Sequence, residues 1–324
     1  MVGSPATAPS PFSIGVDLGG TKTEAIVLDA AGAEVWRQRI STPSALGYDA
    51  ILAAIAGLVG QARQAVGGSA SSTTTTPIGF GTPGALTSTG LMKNANTQCL
   101  NGRPLRQDLQ ALLGQPVAIA NDANCLALSE ATDGAGQGAD VVFAAILGTG
   151  TGAGIAVHGR VLTGPNSLAG EWGHNPLPWA PAGEPRLACY CGQVGCVETL
   201  VSGPGIAADH ALRHGGALTA LQIGAAAASG DGDCAATLAR WQQRLARALA
   251  GVINLLDPDV IVLGGGLSRL VDTYTAVPAQ WGQWVVSGGL KEPVRTRLLP
   301  ALHGDSSGVR GAAWVGRVGS GTGG

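Results

Sequence analysis

The chain of 324 residues carries 19 basic and 21 acidic side chains, a formal charge of −2, with no long run of either sign. That balance argues against nucleic acid or a membrane surface as a partner. Hydrophobic residues make up 45% and charged residues 12%, which excludes global disorder, and at ~150 residues per domain the length favours two domains. The 52 glycines follow no Gly-X-Y period, so they indicate tight turns and backbone-lined sites, not collagen.

Residues 1–13 lack the basic start and apolar stretch of a signal peptide and read as a flexible N-terminal extension. Ser13–Asp17 is expected to be a strand entering the turn Leu18-Gly19-Gly20-Thr21, and Glu24–Asp29 a second strand leaving it. Ala33–Ile40 supplies a third strand, and Ala50–Val66 has helical spacing and no proline. The polar tract Ser69–Thr76 reads as a surface loop. Short strands at Ile78–Gly81 and Val117–Ala120 run into Thr82-Pro83-Gly84 and Asn121-Asp122.

A second unit opens near residue 140. There Val141–Leu147, the turn Gly148–Gly152 and Ala153–His158 repeat the strand–turn–strand design of the first. The apolar stretch Val141–Val157 is too short and turn-rich for a membrane helix. Leu238–Leu256 is expected to be helical, Val260–Leu263 a strand ending in Gly264-Gly265-Gly266, and Ser306–Val315 a last helix. Strands alternating with helices across two halves indicate an α/β protein of two related domains around a cleft.

Five segments carry chemistry. In Asp17-Leu18-Gly19-Gly20-Thr21-Lys22 the glycines bring backbone N–H groups close to a ligand, Thr21 adds a hydroxyl, and Asp17 can organise Mg²⁺. Alone, such a turn is ordinary hairpin chemistry, and it fits neither the Walker nor the Rossmann pattern. A second turn, Gly148-Thr149-Gly150-Thr151-Gly152, at the equivalent place in the other half favours polyphosphate binding by the pair. Asp122 either caps a helix or acts as general base, with Asn121 orienting a substrate hydroxyl.

His174, Cys189, Cys191 and Cys196 bring one imidazole and three thiols within 23 positions, the donor set of a closed, structural zinc site. Such a loop would present Glu171, His174 and Glu198 to a polar ligand such as a sugar. Six cysteines are too few for a disulfide scaffold, and with a metal site they suggest the cytoplasm. Gly264-Gly265-Gly266 would permit close approach of an adenosine.

These segments, in this order, resemble the ROK family of bacterial sugar kinases, within the larger group that includes actin and the seventy-kilodalton chaperones. DLGGTKT, GFGTPG, NDANC, LGTGTGAG, GEWGH, CYCGQVGCVET and DPDVIVLGGG carry the likeness. Lys93–Asn96 with Leu100-Asn101-Gly102, GEWGHNPLPW at 170–179 and HGDSSGVRGAAW at 303–314 look like the fructokinase subgroup. The resemblance implies a two-domain actin-like ATPase (ribonuclease H-like) fold. A small domain, 14–120, would be completed by the helix at about 303–318, and a large domain, 121–302, would carry the zinc loop 174–196.

It further implies that Asp122 takes the proton of the attacking sugar hydroxyl. Asn96, Asn121, Glu171, His174 and Glu198 would hold the sugar, His174 sharing its ring between zinc and substrate. Gly15, Asp17, Gly19, Gly20, Thr21 and Lys22 with Gly148, Thr149, Gly150, Thr151 and Gly152 would hold the phosphates of ATP with Mg²⁺. Gly264, Gly265 and Gly266 would lie by the adenosine. The expected reaction is transfer of the γ-phosphate to the 6-hydroxyl of D-fructose, by a cytoplasmic homodimer. The alternatives are N-acetylglucosamine, mannose or glucose as the acceptor. A sugar-responsive repressor is disfavoured because the kinase-like frame begins at Ile14, and an ATPase that moves other proteins would leave the sugar-type ligands and zinc loop unexplained.

Overall fold

The computed structural model describes residues 10–67, 75–287 and 292–320. Most of the N-terminal extension and of the Ser/Thr tract thus lies outside the described residues. The chain divides into two compact units: one runs to Asp133 and adds Thr163–Leu168 and the stretch from Ser306 onward, and the other holds Gly134–Leu162 and Ala169–Asp305.

Unit 1 begins with the antiparallel strands β1 (Ser13–Leu18), β2 (Lys22–Leu28) and β3 (Glu34–Ser41), then helix α1 (Tyr48–Ala65) and strand β4 (Ile78–Thr82). A small hairpin, β5 (Ala85–Leu86) and β6 (Met92–Lys93), precedes α2 (Leu105–Leu113), β7 (Val117–Asn121) and α3 (Asp122–Thr132). The sheet order is β3-β2-β1-β4-β7, with β4 parallel to both β1 and β7.

Strand alternation sorts this sheet by residue size. Ile14, Val16, Leu18, Ile78 and Phe80 point to one face, where they pack in one core with Ile51, Ile55, Leu58, Val59 and Ala62 of α1. The opposite face of β1 and β4 presents Gly15 and Gly79, and the C-terminal helix, Ser307–Ser320, lies directly on them. A Cβ on Gly15 would come 2.2 Å from the carbonyl oxygen of Val309, and one on Gly79 2.0 Å from that of Ala312. On its other side the same helix meets α3, where a Cβ on Gly311 would lie 1.8 Å from the Cys125 carbonyl oxygen. This close approach ties α3 to the first unit, so the division falls after Asp133 and not at 120/121.

Unit 2 repeats the strand grammar. Its sheet has β8 (Val141–Leu147), β9 (Thr151–Val157) and β10 (Arg160–Val161), then β11 (Val260–Gly264) and β12 (Arg297–Pro300), in the order β10-β9-β8-β11-β12. The first pairs are antiparallel, and β11 runs parallel to β8 and β12. Between β10 and β11 come α4 (Glu198–Val201), α5 (Gly203–His214), α6 (Ala220–Ala228) and α7 (Gly232–Leu256), and α8 (Thr273–Ala276) follows β11. Helix α7 starts earlier than periodicity suggests because Asp231 caps it, accepting the Cys234 amide at 2.8 Å. Its Leu238, Trp241, Leu245 and Leu249 pack with Phe143, Leu147, Trp172 and Ile261.

Both sheets thus have an antiparallel hairpin extended by parallel strands, which is the two-part α/β architecture implied by the resemblance. No helix among the described residues is long and apolar enough to cross a membrane.

Candidate active site and metal centre

In unit 1 the strand ends bring the acidic candidates together. Asp17 lies near the end of β1, across from Glu24 on β2 and Gly81 on β4. Asp122 follows β7 directly and opens α3. Such an arrangement, ligand groups at the carboxyl ends of parallel strands, recurs in open α/β sheets. The missing side chains of Gly81 and Gly308 leave room for the Asp17 carboxyl, whose oxygens come 3.6 and 3.4 Å from the Cβ positions those residues lack. Burial first, then the charges of Asp122 and Glu24, push the pKa of Asp17 from 3.8 to about 6. Glu24 differs: burial works against its charge, but Arg37 and Arg39 bond both its oxygens and hold its pKa below the usual range. Behind the pair sits the buried thiol of Cys125, kept neutral by burial and by the nearby charges of Asp17 and Asp122.

The first glycine turn is closed by the Gly19 amide donating to the Lys22 carbonyl at 3.0 Å, and its outer carbonyl is fixed by the Thr42 hydroxyl at 2.8 Å. Gly20 and Thr21 are exposed beside it. Thr97, 6% exposed, has its Oγ1 3.1 Å from where a Gly20 Cβ would be, and that oxygen has no hydrogen-bond partner among the described residues. An orphaned hydroxyl over an open glycine turn fits a phosphate ligand. Gly15 does not join this turn. It lies inside β1 under the C-terminal helix, so its expected contact with ATP gives way to a packing role.

Asn96 is exposed between buried Ala95 and Thr97. Its loop is held by Asn101, which accepts the Ala95 amide and donates to the Ala95 carbonyl, both at 2.9 Å. Sequence reasoning noted Asn101 only as part of a likeness; its clamp on Ala95 is visible only in three dimensions. The side chain of Asn121 is engaged as a brace: Oδ1 accepts the Ala123 amide at 2.8 Å and Nδ2 donates to the Gly84 carbonyl at 3.1 Å.

In unit 2 the four metal-type donors converge. One ligand atom from each of His174, Cys189, Cys191 and Cys196 lies within 4.8 Å of all the others. Cys191 and Cys196 sulfurs are 3.7 Å apart, and Cys189 Sγ is 3.5 Å from His174 Nδ1. With Zn–S bonds of about 2.3 Å, a tetrahedron requires edges of about 3.7 Å, so the donor set fits a closed zinc site. All six cysteines are free thiols. The other ring nitrogen, His174 Nε2, meets the Tyr190 hydroxyl at 3.0 Å and a Glu171 oxygen at 3.9 Å. Tyr190, between two cysteines, is a contact that spacing did not single out.

Glu198 joins this loop to the second glycine turn, accepting the Thr151 amide through Oε2 at 2.9 Å, and a Cβ on Gly150 would meet the same oxygen at 2.9 Å. Gly148 and Gly152 face open space, and the buried Thr151 hydroxyl has no partner among the described residues. Thr149 sits at the turn's tip, bridged by the Gly148 amide donating to the Gly150 carbonyl at 3.0 Å. Gly265, at φ +80°, comes close enough to β8 that a Cβ would lie 2.4 Å from the Leu147 carbonyl. The Gly264–Gly266 segment is thereby placed next to Gly148. Unit 2 thus gathers both glycine segments, Glu198 and the metal loop.

Comparison with known proteins agrees in one direction. The model of the ROK family matches residues 13–317. An N-acetyl-D-glucosamine kinase of Pectobacterium atrosepticum is 39% identical over 305 residues, covering 92% of this chain and 97% of that protein. One from Salmonella heidelberg is 37% identical, covering 93% and 98%. The ROK hexokinase of Thermus thermophilus superposes with a TM-score of 0.82 at 28% identity, over 96% of this chain and all of that one. A ROK glucokinase of Streptomyces griseus, solved with glucose and AMPPNP, gives 0.72 at 28%, over 95% and 99%. The actin-like ATPase fold is accordingly that of this chain. The chain belongs to the ROK family and is a sugar kinase within it.

Proposed function

We propose that the protein transfers the γ-phosphate of MgATP to the 6-hydroxyl of N-acetyl-D-glucosamine. The observation that carries the chemistry is the pairing of Asp17 and Asp122 at the ends of β1 and β7, beside a glycine turn. The sugar follows from the relatives: the sequence likeness favours fructose, whereas the kinases above that match at 37–39% identity phosphorylate the amino sugar in their names. That supports the alternative over fructose.

In this reading Asp122 accepts the proton of the 6-hydroxyl as the sugar oxygen attacks the γ-phosphorus, and the bond to the bridging oxygen breaks to release ADP. Asn96, Glu171, His174 and Glu198 hold the sugar hydroxyls, and Asn121 keeps Asp122 at the head of α3. Gly19, Gly20, Thr21 and Lys22 with Gly148–Gly152 cradle the phosphates, and Gly264–Gly266 lies by the adenosine. Asp17 is the residue that would hold Mg²⁺, which would supply neutralisation of the phosphate charge when bound. His174, Cys189, Cys191 and Cys196 would hold a structural zinc, which would fix the loop bearing Glu171 and Glu198. A cytoplasmic homodimer completes the reading, on the strength of the family likeness.

The test is ADP release from MgATP with and without N-acetylglucosamine, with NMR assignment of the phosphorylated oxygen. ADP release that requires the sugar and yields the 6-phosphate supports the proposal; ATP turnover indifferent to every sugar overturns it.

A further inference from the structure

We infer a second anion site on unit 2, built by arginines of α5 and α7, that takes a phosphate group. Helix α7 carries Arg240, Arg244 and Arg247 at spacings of four and three, hence on one face. Helix α5 contributes Asp209 and Arg213, and the loop between His174 and Cys189 contributes Glu184. Buried Asp209 accepts Arg240 Nε at 2.8 Å, Arg244 Nη2 at 2.8 Å and Arg213 Nε at 3.3 Å. Glu184 accepts Arg244 Nε at 2.8 Å and also bonds Arg247. Four guanidiniums therefore share two carboxylates. Beside them Arg240 Nη2 meets the Thr237 hydroxyl at 3.0 Å and His214 Nε2 at 3.4 Å, and His214 Nδ1 meets Asp233 at 3.1 Å; with Asp233 counted, four guanidiniums still face only three carboxylates.

A cavity of about 190 Å³ opens on this cluster, between loop residues 181–184 and Arg213, Arg240, Gln243 and Arg244. Its lining holds three positive charges and one negative. Arg244 is only 3% exposed, yet its Nη1, like Arg240 Nη1 and both terminal nitrogens of Arg213, has no hydrogen-bond partner among the described residues. Spare N–H donors on planar forks, with surplus positive charge, are the chemistry that binds a phosphate oxyanion bidentately. At about 30 Å³ per water the space holds about six waters, enough for phosphate or the phosphate end of a monoester. None of these residues belongs to the glycine turns, the metal loop's ligands or the acidic pair.

The test is calorimetric titration of inorganic phosphate into the zinc-loaded full chain, with N-acetylglucosamine and AMPPNP at saturation so that the kinase site is filled. One phosphate per chain is expected, and Arg213→Ala should weaken it about tenfold, as loss of a charged hydrogen bond does. Arg213 is exposed enough for that variant to fold, and its kcat for the sugar should match the wild type; Arg240→Gln should weaken binding by a similar factor. A parallel titration with N-acetylglucosamine 6-phosphate identifies the source: binding of both supports a site for monoesters, and binding of inorganic phosphate alone supports a site for the free anion. Absence of phosphate binding with the kinase site filled, or equal affinity in wild type and Arg213→Ala, overturns the inference.

Discussion

Asp17 is held where its charged form is disfavoured, so the role proposed for it and the stability of the fold pull apart at one residue. Its folded pKa of about 6 lies above the ordinary 3.8, so between those values the native state keeps a proton that the unfolded chain releases. Stability therefore falls as pH rises through that window, and the cost is complete above it. Asp17→Asn removes the cost: it should abolish most turnover yet raise stability at pH 8 by about 1–3 kcal/mol, with the gain gone below pH ~4. Thermal melts across pH check this, and a variant less stable than wild type at pH 8 would contradict it. Asp122→Asn should lower kcat by ~10² or more while leaving the melting temperature and sugar affinity in place. Single-turnover kinetics beside equilibrium sugar binding separate the two effects. Asn101 acts at one remove: Asn101→Ala frees the Ala95 backbone that it bonds twice, so KM for the sugar should rise several-fold with kcat little changed.

At the scale of elements, the C-terminal helix is seated by glycines, and its prediction is a contrast. Gly79→Ala would place a methyl 2.0 Å from the Ala312 carbonyl oxygen and should destabilise by about 3 kcal/mol or more. Gly57→Ala, in α1 where the added carbon meets open space, should stabilise by about 0.5–1 kcal/mol. Urea unfolding of the two variants reads both signs. The metal loop is a second element-scale case: Cys191→Ser should lower zinc from one ion per chain and weaken sugar binding, measured by metal analysis with calorimetry.

The longer strands and the two glycine hairpins were legible because β-branched runs and paired glycines signal them locally: the second strand, expected over Glu24–Asp29, is Lys22–Leu28. The short strands β5, β6, β10 and β12 carry no such signal. Helix α3 was legible only as the alternative in which Asp122 caps a helix, because Ala123 and Cys125–Ala131 are buried nearly all round and leave no polar face to mark a helical period. Helices α2, α5 and α6 went unread although Leu105, Leu109 and Leu113 follow helical spacing. The metal set was legible from spacing alone, since four donors of the right softness rarely cluster otherwise. The orphaned hydroxyls of Thr97 and Thr151, the Asn101 clamp and the packing role of Gly15 depend on which segments meet, and a single sequence carries no mark of that.

For the whole molecule, the two units repeat one plan and divide the candidate groups between them: unit 1 carries the acidic pair and the first glycine turn, and unit 2 the second turn, the glycine segment after β11 and the loop of metal-type donors. What turns this frame into an enzyme for one sugar is a small set of contacts, and differences of about 1–3 kcal/mol there decide among hexoses. The most direct test is therefore kcat/KM with MgATP for N-acetylglucosamine against fructose, glucose and mannose under identical conditions. The account predicts that N-acetylglucosamine leads by at least about tenfold, a difference of ~1.4 kcal/mol in transition-state binding. A lead for fructose of that size would contradict it, and would mean that the segments at 93–102 and 170–179 report specificity better than overall identity does.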